Sequence, residues 1–160
     1  MSGRFLRPGL LLAFVLVSGL EAAETQVSLV EAVKQGNHEA VRALLARGSV
    51  VNRPEPDGTT ALHWAVRASD AEAVSLLLRA GAKVSLPNRY GVKPLTLAAI
   101  NGDAGIIERL LKAGADPNTA TAEGETALLT ASRTGNVAAV KALIAHGANV
   151  NAREQWLGEA

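Results

Sequence analysis

The chain has 160 residues, with 16 basic and 15 acidic side chains that give a net charge of +1, and it contains no Cys. The absence of Cys excludes a disulfide framework, a thiol nucleophile and a Cys-ligated zinc site, and the near-neutral charge excludes the strongly basic surface that nucleic-acid binding requires. Hydrophobicity comes from small aliphatic side chains, since there are only two Trp, one Tyr and two Phe, and such side chains suit thin, closely packed helices.

The N-terminus has the pattern of an export signal. Arg4 and Arg7 precede an apolar run at 10–17, and small residues follow at several candidate cleavage points. Because this run is too short to span a bilayer comfortably, it predicts a signal peptide over residues 1–23, with an uncleaved anchor as the alternative. We therefore expect an exported protein, periplasmic or secreted, without stable membrane insertion after signal removal.

The rest of the chain repeats with a period of 33 residues. The segment 60–65, which reads Thr-Ala-Leu-His-Trp-Ala, aligns with 93–98 and 126–131. A fixed period of this size predicts stacked supersecondary units, an architecture that favours a binding surface over a catalytic pocket. A second landmark, a Gly placed three residues after a Leu-Leu or Leu-Ile pair, keeps the same spacing at Gly48, Gly81, Gly114 and Gly147.

Each unit predicts two helices. The first begins after Thr60 or Thr126, whose hydroxyls accept from free N–H groups of the first turn, and at Pro94 in the unit between them. The second ends at the four glycines just named, because a Gly adopts the left-handed conformation at no steric cost. It is preceded by an in-register series of N-cap residues, namely Asn37, Asp70, Asp103 and Asn136.

Each second helix carries an apolar stripe along one face, with i, i+3, i+4 spacing. These stripes predict the core between the layers. Trp64, on a first helix, is also interpreted as a core residue. The stripes consist of Val41, Leu44 and Leu45, then Val74, Leu77 and Leu78, then Ile107, Leu110 and Leu111, then Val140, Leu143 and Ile144.

The loop after each second helix contains Asn52, Ser85, Asn118 or Asn151, and leads to the next Gly. This spacing predicts a projecting β-turn, or finger, between successive units. The Asn side chains are interpreted as partners of neighbouring loop backbone rather than calcium ligands, because too few carboxylates lie nearby.

These residues closely resemble the ankyrin repeat, whose pattern runs Asp-x-x-Gly-x-Thr-Pro-Leu-His-x-Ala, then Leu-Leu, then Gly-Ala-Asp-x-Asn. The best matches lie at 58–65 and 114–118, and the resemblance covers about residues 25–158. It implies an all-α repeat solenoid of about four repeats, built from helix-turn-helix pairs with β-turn fingers. The implied organisation is a capping repeat at 24–57, repeats at 58–90, 91–123 and 124–157, and the start of a truncated repeat at 158–160.

The end repeats differ from the inner ones. At the C-terminal end no capping repeat covers the last apolar stripe, so we expect either a fragment of a longer repeat protein or a cap made by Trp156 and Leu157 folding back. At the other end, Val-Ser-Leu-Val at 27–30 replaces the Thr-Pro-Leu-His motif, as expected of an N-terminal cap. A cap needs a polar outer face, for which the candidates are Glu31, Lys34, His38, Glu39 and Arg42.

The sequence offers no constellation for catalysis. His38, His63 and His146 occupy different registers of different repeats and cannot converge on one metal ion. The resemblance gives His63 a structural role, a hydrogen bond to loop backbone. No nucleophile elbow, phosphate loop, zinc-protease motif or dinucleotide fingerprint occurs. We therefore expect no enzyme, no cofactor and no metal.

The resemblance implies a protein–protein interaction module that binds an unidentified protein through a concave face of fingers and inner helices. The alternatives are a regulatory or protective subunit of an extracytoplasmic enzyme, and a structural part of a longer chain whose activity lies beyond residue 160. Tyr90 is the strongest single candidate, because Tyr and Arg are enriched in interface hot spots; the alternative is that Tyr90 packs on the next finger and the arginines are simply solvated. The candidate contact residues are Asp57, Thr59, Arg67, Arg89, Tyr90, Val92, Ile100, Asn101, Glu123, Glu125 and Arg133.

Overall fold

The computed structural model describes residues 28–121 and 123–153. The predicted signal peptide, the Trp156–Leu157 cap and the segment 158–160 lie outside these residues. Within them there are eight helices and no strand, which confirms the predicted all-α repeat architecture. The helices are α1 (Leu29–Lys34), α2 (His38–Ala46), α3 (Ala61–Arg67), α4 (Ala71–Arg79), α5 (Pro94–Asn101), α6 (Ala104–Lys112), α7 (Ala127–Arg133) and α8 (Val137–Ala145).

The helices form two layers that run the length of the described chain. The first helices α1, α3, α5 and α7 contact one another in that order, and the second helices α2, α4, α6 and α8 do the same. Each first helix also packs against the second helix of its own pair. The molecule is therefore a linear stack in which each repeat contacts its neighbours, as expected for a repeat protein.

Local hydrogen bonds fix where the second helices begin and end. Each predicted N-cap side chain accepts from the backbone N–H three residues later, at 2.9–3.0 Å. The four glycines after these helices have φ between 80° and 91°, a conformation that side chains with a Cβ rarely adopt. Thr60 and Thr126 stand at the N-cap positions of α3 and α7, and Pro94 opens α5, so the predicted boundaries are confirmed. Of the two hydroxyls, only that of Thr126 accepts a bond from the first turn, from the Leu129 N–H at 3.3 Å.

The core is continuous along the stack. Val74, Leu77, Ile107 and Leu110, on the two inner second helices, are fully buried. The stripe prediction is only partly right. Leu78 is half-buried even in an inner repeat, and the end repeats, which have a described neighbour on one side alone, bury less of their stripes. Leu44 and Leu45 are half-buried, and Ile144 is 45% exposed.

Two members of the predicted polar outer face of the first repeat, His38 and Arg42, contact the second repeat. His38 faces α4, where its Nε2 lies 2.6 Å from Asp70 Oδ2 and its Nδ1 lies 3.1 Å from Glu72 Oε2. Arg42 forms an ion pair with Glu72, and Lys34 Nζ lies 2.7 Å from a Glu55 carboxylate oxygen. His38 and Arg42 join the first repeat to the second because α2 packs directly against α4, whereas the Lys34–Glu55 pair lies within the first repeat.

This joint predicts a pH-dependent contribution to stability. The hydrogen bond to Asp70 raises the pKa of His38, and the negative charges of Asp70 and Glu72 add to that effect. Burial alone would raise the pKa of Asp70, but bonds from the Ala73 amide and from His38 outweigh it, so the pKa is lowered. A raised His pKa gives stability that is fully present below the unfolded value of about 6.5 and is lost as pH rises through the folded value.

We therefore expect His38→Gln to remove a component of stability that the wild type has at mildly acidic pH and loses at alkaline pH. Urea denaturation at a series of pH values measures it. Glu39→Gln, an exposed change on the same helix, controls for surface charge. If the difference in free energy of unfolding between wild type and His38→Gln is the same at every pH, the ion pair does not make stability depend on pH.

Candidate protein-binding surface

Three tight turns project between the helix pairs, at 55–59, 88–92 and 121–125, and these are the predicted fingers. In each, the first backbone N–H donates to the carbonyl of the fifth residue at 2.8–2.9 Å, and the fourth residue is a Gly with positive φ. Gly58 is needed for a second reason, because a Cβ there would lie 3.1 Å from the backbone nitrogen of Arg89. The finger prediction is confirmed.

Side chains inside the fingers stabilise their shape. The Asp57 carboxylate accepts from the Thr59 backbone N–H at 2.9 Å and from the Thr59 hydroxyl at 2.8 Å, and these bonds lower the pKa of Asp57. Asn88 Oδ1 accepts from the N–H groups of Tyr90 and Val92, both at 3.0 Å. The side chains of Asp57, Thr59 and Asn88 therefore form hydrogen bonds within the turns.

Further bonds tie successive repeats together. The Arg89 N–H donates to Asp57 O at 2.8 Å, so the fingers 55–59 and 88–92 lie side by side. The Asn52 amide donates to Gly81 O at 3.1 Å, and Asn118 makes the equivalent bond to Gly147 O at 3.1 Å. The prediction that these Asn side chains bond neighbouring loop backbone is confirmed for both.

His63 links a helix to the next finger. Its ring is 1% exposed, and burial lowers its pKa, so the imidazole is neutral at neutral pH. Nε2 lies 3.1 Å from Val92 O, and because a carbonyl only accepts, Nε2 carries the proton. Nδ1 then accepts from the Thr60 N–H at 3.2 Å and from its hydroxyl at 2.8 Å. This is the structural role that the resemblance implied.

Trp64 is half-buried, and its interpretation as a core residue is only partly right. One side packs against the core, but the indole Nε1 donates to a Glu55 carboxylate oxygen at 2.5 Å. Lys34 Nζ lies 4.4 Å from the ring centroid and Arg67 Cζ lies 5.6 Å from it. Trp64 thus connects α1, α3 and the finger 55–59, a contact that sequence reasoning missed.

The surface that contains the fingers and the outward side of α1, α3, α5 and α7 is called the finger face below. One equivalent position recurs every 33 residues on these helices, and it is occupied by Lys34, Arg67, Ile100 and Arg133. Lys34 pairs with Glu55 at 2.7 Å, and Arg133 pairs at 3.1 Å with a carboxylate on the finger 121–125. Ile100 is 54% exposed.

The remaining candidate residues are divided between structural bonds and open surface. The Asn101 amide donates to the carbonyls of Val66 and Arg67 at 2.9 and 3.2 Å, and so caps the end of α3. Val92 and Glu125 are half-buried, and Glu123 is exposed. Tyr90 is 73% exposed, which does not fit the alternative that it packs on the next finger.

A family model of three consecutive ankyrin repeats matches residues 12–88, 29–121 and 80–154. The chain belongs to the ankyrin-repeat family. Ankyrin repeats are typically non-enzymatic and are generally modules of protein–protein interaction. No curated protein sequence matches the chain.

Within residues 28–121 and 123–153, no group of three or more His, Asp or Glu side chains is placed to hold a metal ion. No helix in that described part is both long and apolar enough to cross a membrane. The arrangement on the finger face offers exposed aromatic, aliphatic and guanidinium groups, which suit noncovalent recognition.

Proposed function

We propose that this ankyrin-repeat chain is a non-enzymatic binding module that engages a partner protein through the finger face, and that it does so outside the cytoplasm after export by its N-terminal signal. The observation that carries the binding proposal is the exposure of Tyr90 and Ile100, at 73% and 54%, on the finger face of the two inner repeats. Within the described residues, the other exposed large apolar side chains belong to the end repeats: Val50, Val137, Ile144 and Val150.

The fingers are suited to binding because their shape is fixed before a partner arrives. Each has its own backbone bonds, and the finger that carries Arg89 and Tyr90 is held in addition by Asp57, Asn88 and His63. Preformed loops lose little conformational entropy on binding, so more of the contact energy appears as affinity. Tyr and Arg are also the residue types that most often form interface hot spots.

Affinity capture from the extracytoplasmic fraction of the source cells tests the proposal. The full chain is compared with a variant in which Arg67, Arg89, Tyr90 and Ile100 are changed to Ala. We expect a protein captured by the wild type to lose at least about tenfold in affinity for the variant, because truncating one hot-spot side chain typically costs about 2 kcal/mol.

A matched control carries Arg79, Arg109 and Lys141 changed to Ala, all exposed on second helices. This control should capture the same protein as the wild type, and circular dichroism should give equal helicity for all three baits. Equal loss in both variants, or capture that neither set of changes affects, would count against the finger face.

A further inference from the structure

Two arginines of the finger face lie against aromatic rings. Arg67 Cζ is 5.6 Å from the centroid of Trp64, and Arg89 Cζ is 5.7 Å from the centroid of Tyr90. Attraction between a cation and a ring holds a guanidinium in place, and the planar group keeps several N–H donors available at its edge. Both side chains are exposed, so their donors face solvent on the side where a partner would bind.

These two arginines differ from their basic neighbours because neither forms an ion pair with a described carboxylate. Lys34 Nζ lies 2.7 Å from a carboxylate oxygen, and the Arg133 guanidinium lies 3.1 Å from another. Among residues 28–121 and 123–153, no carboxylate oxygen lies within 4.0 Å of the Arg67 or Arg89 guanidinium. Neither guanidinium therefore forms an ion pair with a described carboxylate, although the charge of Arg89 contributes to the lowered pKa of Asp57.

The two arginines and the exposed apolar side chains belong to one region. The Asn101 amide reaches Arg67 O at 3.2 Å, which places Ile100 at the neighbouring position beside the end of α3. Trp64 bonds the finger 55–59 at 2.5 Å, and that finger bonds the Arg89 N–H at 2.8 Å. We call this region, defined by Arg67, Arg89, Tyr90 and Ile100, the arginine patch.

We propose that the arginine patch binds an acidic segment of the partner protein, in which an apolar side chain packs on Ile100 and Tyr90 and flanking carboxylates bond to Arg67 and Arg89. This inference rests on the proposed function, because it specifies the chemistry of the partner at the same face. A carboxylate matches the edge of a guanidinium with two parallel hydrogen bonds, which gives geometric specificity.

Charge around the patch favours an acidic peptide over nucleic acid. The fingers also carry Glu55, Asp57, Glu123 and Glu125, and the whole chain has a net charge of only +1. A phosphate backbone running along the face would pass these carboxylates, and nucleic-acid affinity depends on many phosphate contacts to basic groups. A short acidic segment needs only the two arginines that the patch provides.

Three matched synthetic peptides test the proposal, each with a central leucine flanked by glutamates, by glutamines or by lysines. Binding to the full chain is followed by Trp64 fluorescence in a Trp156→Phe background, because the chain has only these two Trp residues. We expect the glutamate peptide to bind about tenfold more tightly than the glutamine peptide, and the difference to shrink at high salt. The lysine peptide should not bind.

Arg67→Lys and Arg89→Lys, made together, retain both positive charges but lose the flat guanidinium and its paired donors. We expect this double variant to lose most of the tenfold preference for glutamate over glutamine. Arg109→Lys, an exposed change on α6, is the matched control and should retain the preference.

Equal binding of the glutamate and glutamine peptides, full preference in the double variant, or stronger competition by a single-stranded oligonucleotide than by the glutamate peptide would overturn the proposal. So would failure of every peptide to bind. In that case a partner still captured through the finger face would leave the proposed function standing, whereas loss of capture as well would remove both.

Discussion

Replacing Leu77 or Leu110 with Ala is expected to lower the free energy of unfolding by about 2–5 kcal/mol. Both side chains are fully buried, on α4 and α6, and each of these helices is covered by a second helix on either side. The change removes buried apolar atoms and leaves a cavity, and a helix held from two sides cannot move to fill it. Inner repeats should therefore show the upper part of this range.

The equivalent positions at the ends provide the comparison. Leu44 is only half-buried in the first repeat, so Leu44→Ala should cost clearly less than Leu77→Ala. Leu143 is fully buried although it lies in the last described repeat, so Leu143→Ala should resemble the inner changes. Urea denaturation followed by circular dichroism measures all four variants. A Leu44→Ala loss as large as that of Leu77→Ala would mean that burial under neighbouring repeats does not set the cost.

Helix boundaries and fingers could be predicted from the sequence because local chemistry determines them. The Asp70 carboxylate caps α4 by bonding an N–H only three residues away, and Gly81 ends that helix by its own backbone freedom. Such features depend on residue type and spacing, which a 33-residue period displays repeatedly. The buried positions of the inner repeats follow from the same periodicity.

The direction of polar side chains could not be predicted in the same way. A helical pattern shows that His38 and Arg42 share a face, but it does not show whether that face meets solvent or the next helix. In the structure it meets α4, where Asp70 and Glu72 supply the counter-charges. Those partners lie about one period away, and their fit depends on how two helices pack.

In the candidate site, too, some features could be predicted from the sequence and others could not. Tyr90 and Ile100 were expected on the open surface, and the structure places them there. Asp57 and Asn101 occupy equally open register positions, yet their side chains bond nearby backbone instead. Asp57 bonds backbone two residues away, as short polar side chains often do, and Asn101 bonds the backbone of the preceding repeat. Sequence position alone therefore does not separate a free contact residue from a structural one. Nor does it reveal that Arg67 lies against Trp64.

Replacing His63 with Ala is expected to lower the free energy of unfolding by about 3–5 kcal/mol. The change leaves the Thr60 N–H without its bond to the ring, and such a buried unsatisfied group costs about 1–3 kcal/mol. The Val92 carbonyl loses the bond from His63 but still accepts from the Asn88 N–H. The change also leaves a cavity where a ring was 1% exposed. His63→Phe keeps the volume and removes only the bonds, so it should recover part of the loss.

His63 also predicts a pH dependence opposite in sign to that of His38. Burial lowers the pKa of His63 in the folded protein, so the unfolded chain binds more protons in the window below its own value of about 6.5. Stability is therefore fully present above that value and falls as pH drops through the window. In a His38→Gln background, His63→Phe should flatten this acid-side decline; an unchanged slope would mean that His63 does not titrate as proposed.

The bond from His63 to Val92 O reaches the base of the finger that carries Arg89 and Tyr90, so the same substitution bears on recognition. His63→Phe should weaken partner binding even at temperatures where the variant is fully folded, because the finger loses one of the contacts that fix its orientation. Binding is measured with the captured partner, alongside circular dichroism. Unchanged affinity in the folded variant would show that the bonds accepted by Asp57 O and Asn88 Oδ1 are enough to position the finger.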